Sequence, residues 1–187
     1  MIIEKNNLQS ARLASDVLIA GKIAILPTDT VYGFSGIVSK EFACEKKIAT
    51  IKGRDEGKPL IQLIAKPSDI FLYTDENVPR KLLSYWPGAL TIIVKNKTAS
   101  TTAFRCPGDE WLRNVIQFCD APIFSTSVNK SGEPVLDEID NIVSTFQNDV
   151  SLIVSDGNKK NALPSTIVKF ENGITSLVRQ GAVKVNV

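Results

Sequence analysis

Two clusters of polar residues have the types and spacing to bind phosphate. Lys52 and Arg54 flank Gly53, which predicts the end of a helix, and Lys58 follows shortly afterwards. Cations that converge in a loop can clamp phosphate oxygens, but basic residues at a helix C-terminus also suit the helix dipole, and the spacing favours neither interpretation. The second cluster, residues 125–132 (STSVNKSG), follows an apolar run. Its density of hydrogen-bonding groups favours a phosphate-binding loop over an ordinary turn.

Three further segments place polar side chains at the ends of predicted strands, where α/β sheets usually bind ligands. Residues 27–33 (PTDTVYG) predict either a self-capped turn or a hydroxyl-lined pocket for a small polar ligand. Arg105 ends an apolar run and therefore needs an anionic partner, which is either Asp109 or the carboxylate of a ligand. Ser165 and Arg179 stand at the ends of two strands of a predicted hairpin, so we expect them at the same edge of the sheet.

Composition excludes several kinds of site. The 187 residues contain no histidine, and Cys44, Cys106 and Cys119 are far apart. Histidine-dependent catalysis is therefore impossible, and zinc sites and disulfide scaffolds are not expected. The net charge of +2 is too small to indicate nucleic-acid binding by itself. Neither a Walker A nor a GxGxxG pattern is present, so a nucleotide site must be built differently. With no signal-peptide pattern and no long apolar run, we expect a cytoplasmic protein without membrane contact.

Hydrophobic periodicity predicts alternating helices and strands. Helices are expected at 8–20, 40–51, 77–85, 109–119 and 137–146. Strands are expected at 22–26, 60–64, 89–94, 102–105, 122–127, 151–155, 165–170 and 175–178. This order indicates one α/β domain over residues 1–187, built on a twisted mixed sheet. Residues 156–164 predict a loop that could act as a lid.

Six segments together resemble the YrdC-like family of threonylcarbamoyl-AMP synthases in its short TsaC type. They are PTDTVYG (27–33), KGR (52–54), WPGALT (86–91), STSVNKSG (125–132), PST (164–166) and RQG (179–181). The resemblance covers nearly the whole chain and implies an α/β fold with a deep basic cavity. It also implies that L-threonine, bicarbonate and ATP are converted to threonylcarbamoyl-adenylate and pyrophosphate. Downstream threonylcarbamoyl-transferase proteins then modify tRNA.

The resemblance also implies roles for single residues. Four of them match the positions that hold the ATP phosphates and form the catalytic group: Lys52, Arg54, Ser127 and Asn129. Three more match further nucleotide contacts: Lys58, Thr101 and Arg179. Four match positions around the threonine: Thr30, Arg105, Ser125 and Ser165. The sequence departs from the family pattern at Leu63, Asp55 and Val135, and Asp109 stands where many members have histidine.

These features predict catalysis by charge neutralisation and alignment, without acid–base side chains. Mg²⁺ is expected to arrive with the ATP, because no carboxylate cage is evident. The competing hypothesis is a module that binds tRNA or double-stranded RNA through a basic cavity, and the weak net charge counts against it. A carbamoyl-adenylate domain of the hydrogenase-maturation type is a third possibility, which the missing zinc-finger segments disfavour.

Overall fold

The computed structural model describes residues 1–55, 57 and 59–186. Its helices are α1 (Ser10–Ile19), α2 (Cys44–Lys52), α3 (Arg80–Leu83), α4 (Glu110–Cys119) and α5 (Ile139–Phe146), with a 3-10 helix at Pro67–Leu72. Its strands are β1 (Ile2–Glu4), β2 (Ala24–Leu26), β3 (Gly33–Ile37), β4 (Ile61–Leu63), β5 (Leu90–Lys95), β6 (Thr101–Arg105), β7 (Ile123–Ser127), β8 (Leu152–Ser155), β9 (Thr166–Glu171) and β10 (Ile174–Arg179).

The ten strands form one mixed sheet in the order β1-β8-β2-β3-β7-β4-β6-β5-β9-β10. The sheet contains both parallel pairs, such as β4 with β6, and antiparallel pairs, such as β3 with β7. The predicted α/β fold with a mixed sheet flanked by helices is therefore confirmed. No helix among the described residues is long and apolar enough to cross a membrane.

The register of the central strands places the polar residues of several strands on one face. Ser125 of β7 pairs with Ile61 of β4, and Ile61 pairs with Ala103 of β6. Paired residues point to the same side of a sheet and alternate residues share a face. Ser127 and Arg105, each two residues from one of these partners, therefore share this face with Ser125.

The opposite face carries the helix α2 at strand β3. A Cβ atom on Gly36 would lie 2.7 Å from the Cβ of Cys44, so only glycine lets this helix approach the strand. Phe34, which also points away from Ser35, packs edge-on against Phe146 of α5 at 4.9 Å between ring centroids. Two apolar clusters fill the interior, one around β2, β3, β7 and β8 and the other around β5 and β9.

The strand β3 was not predicted from the sequence, nor were β1 and the 3-10 helix. The run GFSGI has glycine at two of its five positions, so it lacks the side-chain alternation that indicates a strand. The remaining elements were predicted with errors at their ends. The helix expected at 40–51 begins only at Cys44, after Ala43 adopts a left-handed conformation with φ of 49°.

Candidate active site

Hydroxyl groups and two arginines line a cavity of about 280 Å³ at the carboxyl ends of β2 and β7. Six of the predicted site residues contribute to its walls: Thr30, Arg105, Ser125, Ser127, Ser165 and Arg179. A larger cleft of about 450 Å³ lies between the 3-10 helix and α4, but it contains none of the predicted site residues. The smaller cavity is therefore the candidate site, because it combines two arginines with hydroxyls from several strand ends.

Arg105 is buried and is held by three internal hydrogen bonds. Its Nε donates to the backbone oxygen of Gly88 (3.0 Å), its Nη1 to the Oγ1 of Thr30 (2.9 Å) and its Nη2 to the Oδ1 of Asp29 (2.5 Å). A guanidinium has five N–H donors, and two of them have no hydrogen bond to the described residues, so they can serve a ligand. The arginine is therefore oriented before any ligand arrives.

The internal partner of Arg105 is Asp29 rather than Asp109, which corrects one of the two predicted alternatives. Asp109 instead caps α4, where its Oδ1 accepts from the backbone N–H of Leu112 (3.0 Å). Its Oδ2 forms a salt bridge of 2.6 Å with Lys5. The aspartate that stands at a position often held by histidine thus has a structural role at the start of a helix.

Ser165 and Arg179 lie in contact at the same edge of the sheet, as predicted from the hairpin of β9 and β10. The Nη2 of Arg179 donates to the backbone oxygen of Ser165 (2.7 Å), and the Oγ of Ser165 lies 2.8 Å from the Oγ1 of Thr91. Burial and the positive charge of Arg105 lower the pKa of Arg179. Two cations that are close enough to influence each other favour an anionic ligand between them.

Residues 125–132, named the hydroxyl loop below, comprise the end of β7 and the loop that follows it, and Lys52 holds them together. The ammonium donates to the backbone oxygens of Ser127 (2.5 Å) and Asn129 (3.0 Å) and to the Oδ1 of Asn129 (2.9 Å). The same Oδ1 accepts from the Oγ of Ser127 (2.7 Å). All three ammonium protons are therefore used, so Lys52 orders the loop, and direct contact with a phosphate would require it to release one of these oxygens. Its predicted phosphate contact stays a prediction.

Burial, aided by the nearby charge of Arg54, lowers the pKa of Lys52 to about 8. Arg54 itself follows the end of α2, where its backbone N–H donates to the oxygen of Ala49 (3.1 Å). Arg54 is not among the residues that line the cavity. Its charge nevertheless acts on Lys52, which contacts the hydroxyl loop. Lys58, another predicted nucleotide contact, lies outside the described residues.

Thr101 does not line the cavity. It begins β6 at the end of the strand opposite to Arg105, although the alternation along β6 turns both side chains to the same face. It is separated from β7 by one strand, which corresponds to about 10 Å across the sheet. Its predicted nucleotide contact therefore requires a ligand that extends across the open face.

Sequence reasoning missed the role of Asp29 as a partner of Arg105. The residue was assigned only to capping backbone amides, and it does accept from the N–H of Gly108 through its Oδ2 (2.9 Å). A carboxylate placed between two threonines of a candidate pocket was the available signal. Its contact with Arg105 joins residues 76 positions apart and depends on the strand order.

Most of the chain is similar in sequence to one known protein family. Residues 16–181 match the Sua5/YciO/YrdC family model, which is described as "Telomere recombination". The chain belongs to this family. The family predicted from the six sequence segments is thereby confirmed.

Two relatives that are similar to this chain in sequence are named threonylcarbamoyl-AMP synthases. The threonylcarbamoyl-AMP synthase of Bacillus subtilis is 30% identical, and the alignment covers 97% of this chain and 56% of the relative. The synthase of Pyrococcus abyssi is 28% identical, with coverage of 91% and 53%. The chain thus spans little more than half the length of these two relatives.

Solved structures show the same fold. Sua5 of P. abyssi complexed with L-threonine has a TM-score of 0.85 and 26% identity, covering 97% of this chain and 57% of that one. YciO of E. coli has a TM-score of 0.82 over 98% of this chain and 96% of its own, but at 22% identity it supports the fold alone.

Proposed function

We propose that this protein is a threonylcarbamoyl-AMP synthase. One observation carries the proposal: the residues expected around threonine share a single cavity with Ser127 of the hydroxyl loop, in a family that includes curated synthases. A solved relative, Sua5 of P. abyssi, binds L-threonine. RNA binding as the main role has less support, because several surface lysines, including Lys159, Lys160 and Lys169, already pair with carboxylates.

Threonine would bind with its carboxylate at Arg105, whose two remaining N–H donors suit a carboxylate and whose orientation is fixed by Thr30 and Asp29. The hydroxyls of Ser125 and Ser165 would bind the polar groups of the amino acid. Because the guanidinium is held in place in advance, little ordering cost remains when threonine binds.

ATP would bind beside threonine, with its phosphates between Arg54 and the hydroxyl loop and with Arg179 as a further contact. Lys58 and Thr101 are proposed as outer contacts. Among the described residues, no group of three or more His, Cys, Asp or Glu side chains could hold a metal ion. We therefore propose that Mg²⁺ enters on the ATP phosphates, where it would neutralise their charge.

The reaction would proceed by alignment of the two substrates. The amine of threonine takes up the carbon of bicarbonate with loss of water, and an oxygen of the resulting carbamate attacks the α-phosphorus. The bond to the β-phosphate then breaks and pyrophosphate leaves. The chain would contribute cations that stabilise the developing negative charge and walls that hold the carbamate in line.

The proposed setting is the cytoplasm. There the whole chain, residues 1–187, would act as one domain and supply threonylcarbamoyl-adenylate to the proteins that modify tRNA. Direct contact between this chain and tRNA is a separate possibility, which filter binding at two salt concentrations would test, since binding to phosphates weakens steeply with salt.

The proposal is tested by measuring pyrophosphate release with ATP, threonine and bicarbonate, and again with each one omitted. Release should require all three. The Arg54→Ala variant should lose release by at least 100-fold while its circular dichroism spectrum is unchanged, because a cation beside the phosphates is removed without disturbing the core. Lys46→Ala is the matched control, since it removes a cation from the exposed side of α2. Full activity of Arg54→Ala would refute the assignment.

A further inference from the structure

Tyr32 joins two segments that each contribute residues to the lining of the cavity. Tyr32 is fully buried and is itself one of the lining residues. Its hydroxyl accepts a hydrogen bond from the backbone N–H of Asp156 (2.7 Å) and donates one to the backbone oxygen of Gly157 (2.7 Å). Burial raises the pKa of Tyr32, so the hydroxyl keeps the proton that the second bond requires.

The attachment point of Tyr32 is itself rigid. The carboxylate of Asp156 forms salt bridges with Lys5 (3.1 Å) and Lys159 (2.7 Å). The backbone N–H of Lys159 donates to the oxygen of Asp137 (2.7 Å). The first part of the predicted lid, residues 156–159, is therefore fixed by at least five hydrogen bonds or salt bridges when those of Tyr32 are included.

The two segments carry the residues proposed to surround threonine. Residues 28–32 carry Thr30, which contacts Arg105, and residues 156–165 lead to Ser165. Among the described residues, the hydroxyl of Tyr32 makes the only side-chain hydrogen bonds between these segments. Its loss would leave a backbone N–H and a backbone oxygen without their partner and would remove the side-chain link between the two segments.

The nucleotide side of the cavity does not depend on this hydroxyl. It is joined to the same turn through the backbone, where the N–H of Val128 donates to the oxygen of Tyr32 (3.2 Å) and Gly33 pairs with Ser127 in the sheet. A change from tyrosine to phenylalanine leaves these backbone contacts intact.

We propose that Tyr32 is a positioning residue that sets the width of the threonine half of the cavity and leaves the nucleotide half unaffected. The inference rests on the proposed function for the identity of the substrate, whereas the link between the two segments is independent of it. Loss of the hydroxyl should therefore weaken threonine binding selectively.

The test is the Tyr32→Phe variant, with Tyr73→Phe as the matched control. Tyr73 is partly buried and stacks on Phe104 at 5.3 Å, and no hydrogen bond of its hydroxyl is found among the described residues. Pyrophosphate release should show that Tyr32→Phe raises the KM for threonine roughly tenfold, the effect of about one buried hydrogen bond. The KM for ATP should change less than twofold, and Tyr73→Phe should change neither.

Hydrogen–deuterium exchange provides a second measurement that does not require activity. Peptides covering residues 152–164 should exchange faster in Tyr32→Phe than in the parent protein, because the N–H of Asp156 loses its acceptor. Equal exchange in the two proteins would overturn the proposed link between the two segments. A parent protein that released no pyrophosphate would refute the proposed function but not this link. A parallel rise in both KM values, or no rise in the KM for threonine, would overturn the selective role.

Discussion

Lys52 makes the stability of the protein depend on pH in a direction opposite to its expected effect on activity. The residue is 4% exposed, and burial lowers its pKa from 10.5 to about 8, with a smaller contribution from the charge of Arg54. In the unfolded chain the ordinary value of 10.5 applies. Between these two values the unfolded chain binds more protons than the folded one, so the free energy of unfolding should rise with pH in this window.

The gap between about 8 and 10.5 corresponds to roughly 3 kcal/mol of unfolding free energy. This cost of burying the ammonium is fully present below pH 8 and is relieved as the pH rises toward 10.5. The neutral amine, however, has two protons for the three oxygens that the ammonium contacts in the hydroxyl loop. The loop should therefore become less ordered, and kcat/KM for ATP should fall as the pH rises through about 8.

Urea unfolding of the parent protein and of Lys52→Met at pH 7, 8, 9 and 10 isolates the contribution of Lys52 to the free energy of unfolding. Methionine does not titrate, and the contributions of the other titratable groups cancel when the two free energies are subtracted. The parent should gain about 1 kcal/mol relative to the variant for each pH step above 8. A difference that is constant with pH, or one that decreases, would show that the pKa of Lys52 is not lowered.

Two further substitutions test the walls of the site and the helix that supports it. Gly33→Ala should raise the KM for threonine roughly tenfold with little change in Tm. The new Cβ would lie 2.7 Å from the Oγ of Ser125 and would turn this hydroxyl away from the cavity. An unchanged KM would show that the hydroxyl does not bind substrate. Asp109→Ala should lower the free energy of unfolding by about 1–2 kcal/mol, because the N–H of Leu112 loses its capping oxygen and Lys5 loses a partner. Asp109→Asn keeps a capping oxygen, so it should lower the free energy of unfolding by less. Equal losses in urea unfolding for these two variants of Asp109 would contradict the capping role.

The sequence was sufficient to predict the mixed α/β fold and six of the polar residues that line the cavity. Hydrophobic periodicity located the strands at whose ends Arg105, Ser127 and Ser165 lie, and the six family segments indicated which polar residues belong together. The hairpin argument for Ser165 and Arg179 held because pairing across a short turn is a local property.

The remaining features depend on contacts that no local pattern encodes. The strand β3 escaped prediction because its glycines at 33 and 36 lie close to Ser125 and Cys44, and these contacts exist only in the assembled sheet. The protons of Lys52 are committed to loop oxygens 75 and 77 positions away, which the KGR spacing alone does not reveal.

The chemical identity of the product decides whether this protein is a threonylcarbamoyl-AMP synthase. The protein is incubated with ATP, threonine and ¹³C-labelled bicarbonate, and the nucleotide products are analysed by mass spectrometry. The proposed reaction yields threonylcarbamoyl-adenylate that carries one ¹³C atom, at the carbamoyl carbon, and an equal amount of pyrophosphate. Formation of an adenylate without the label, or of ADP and phosphate in place of pyrophosphate, would contradict it.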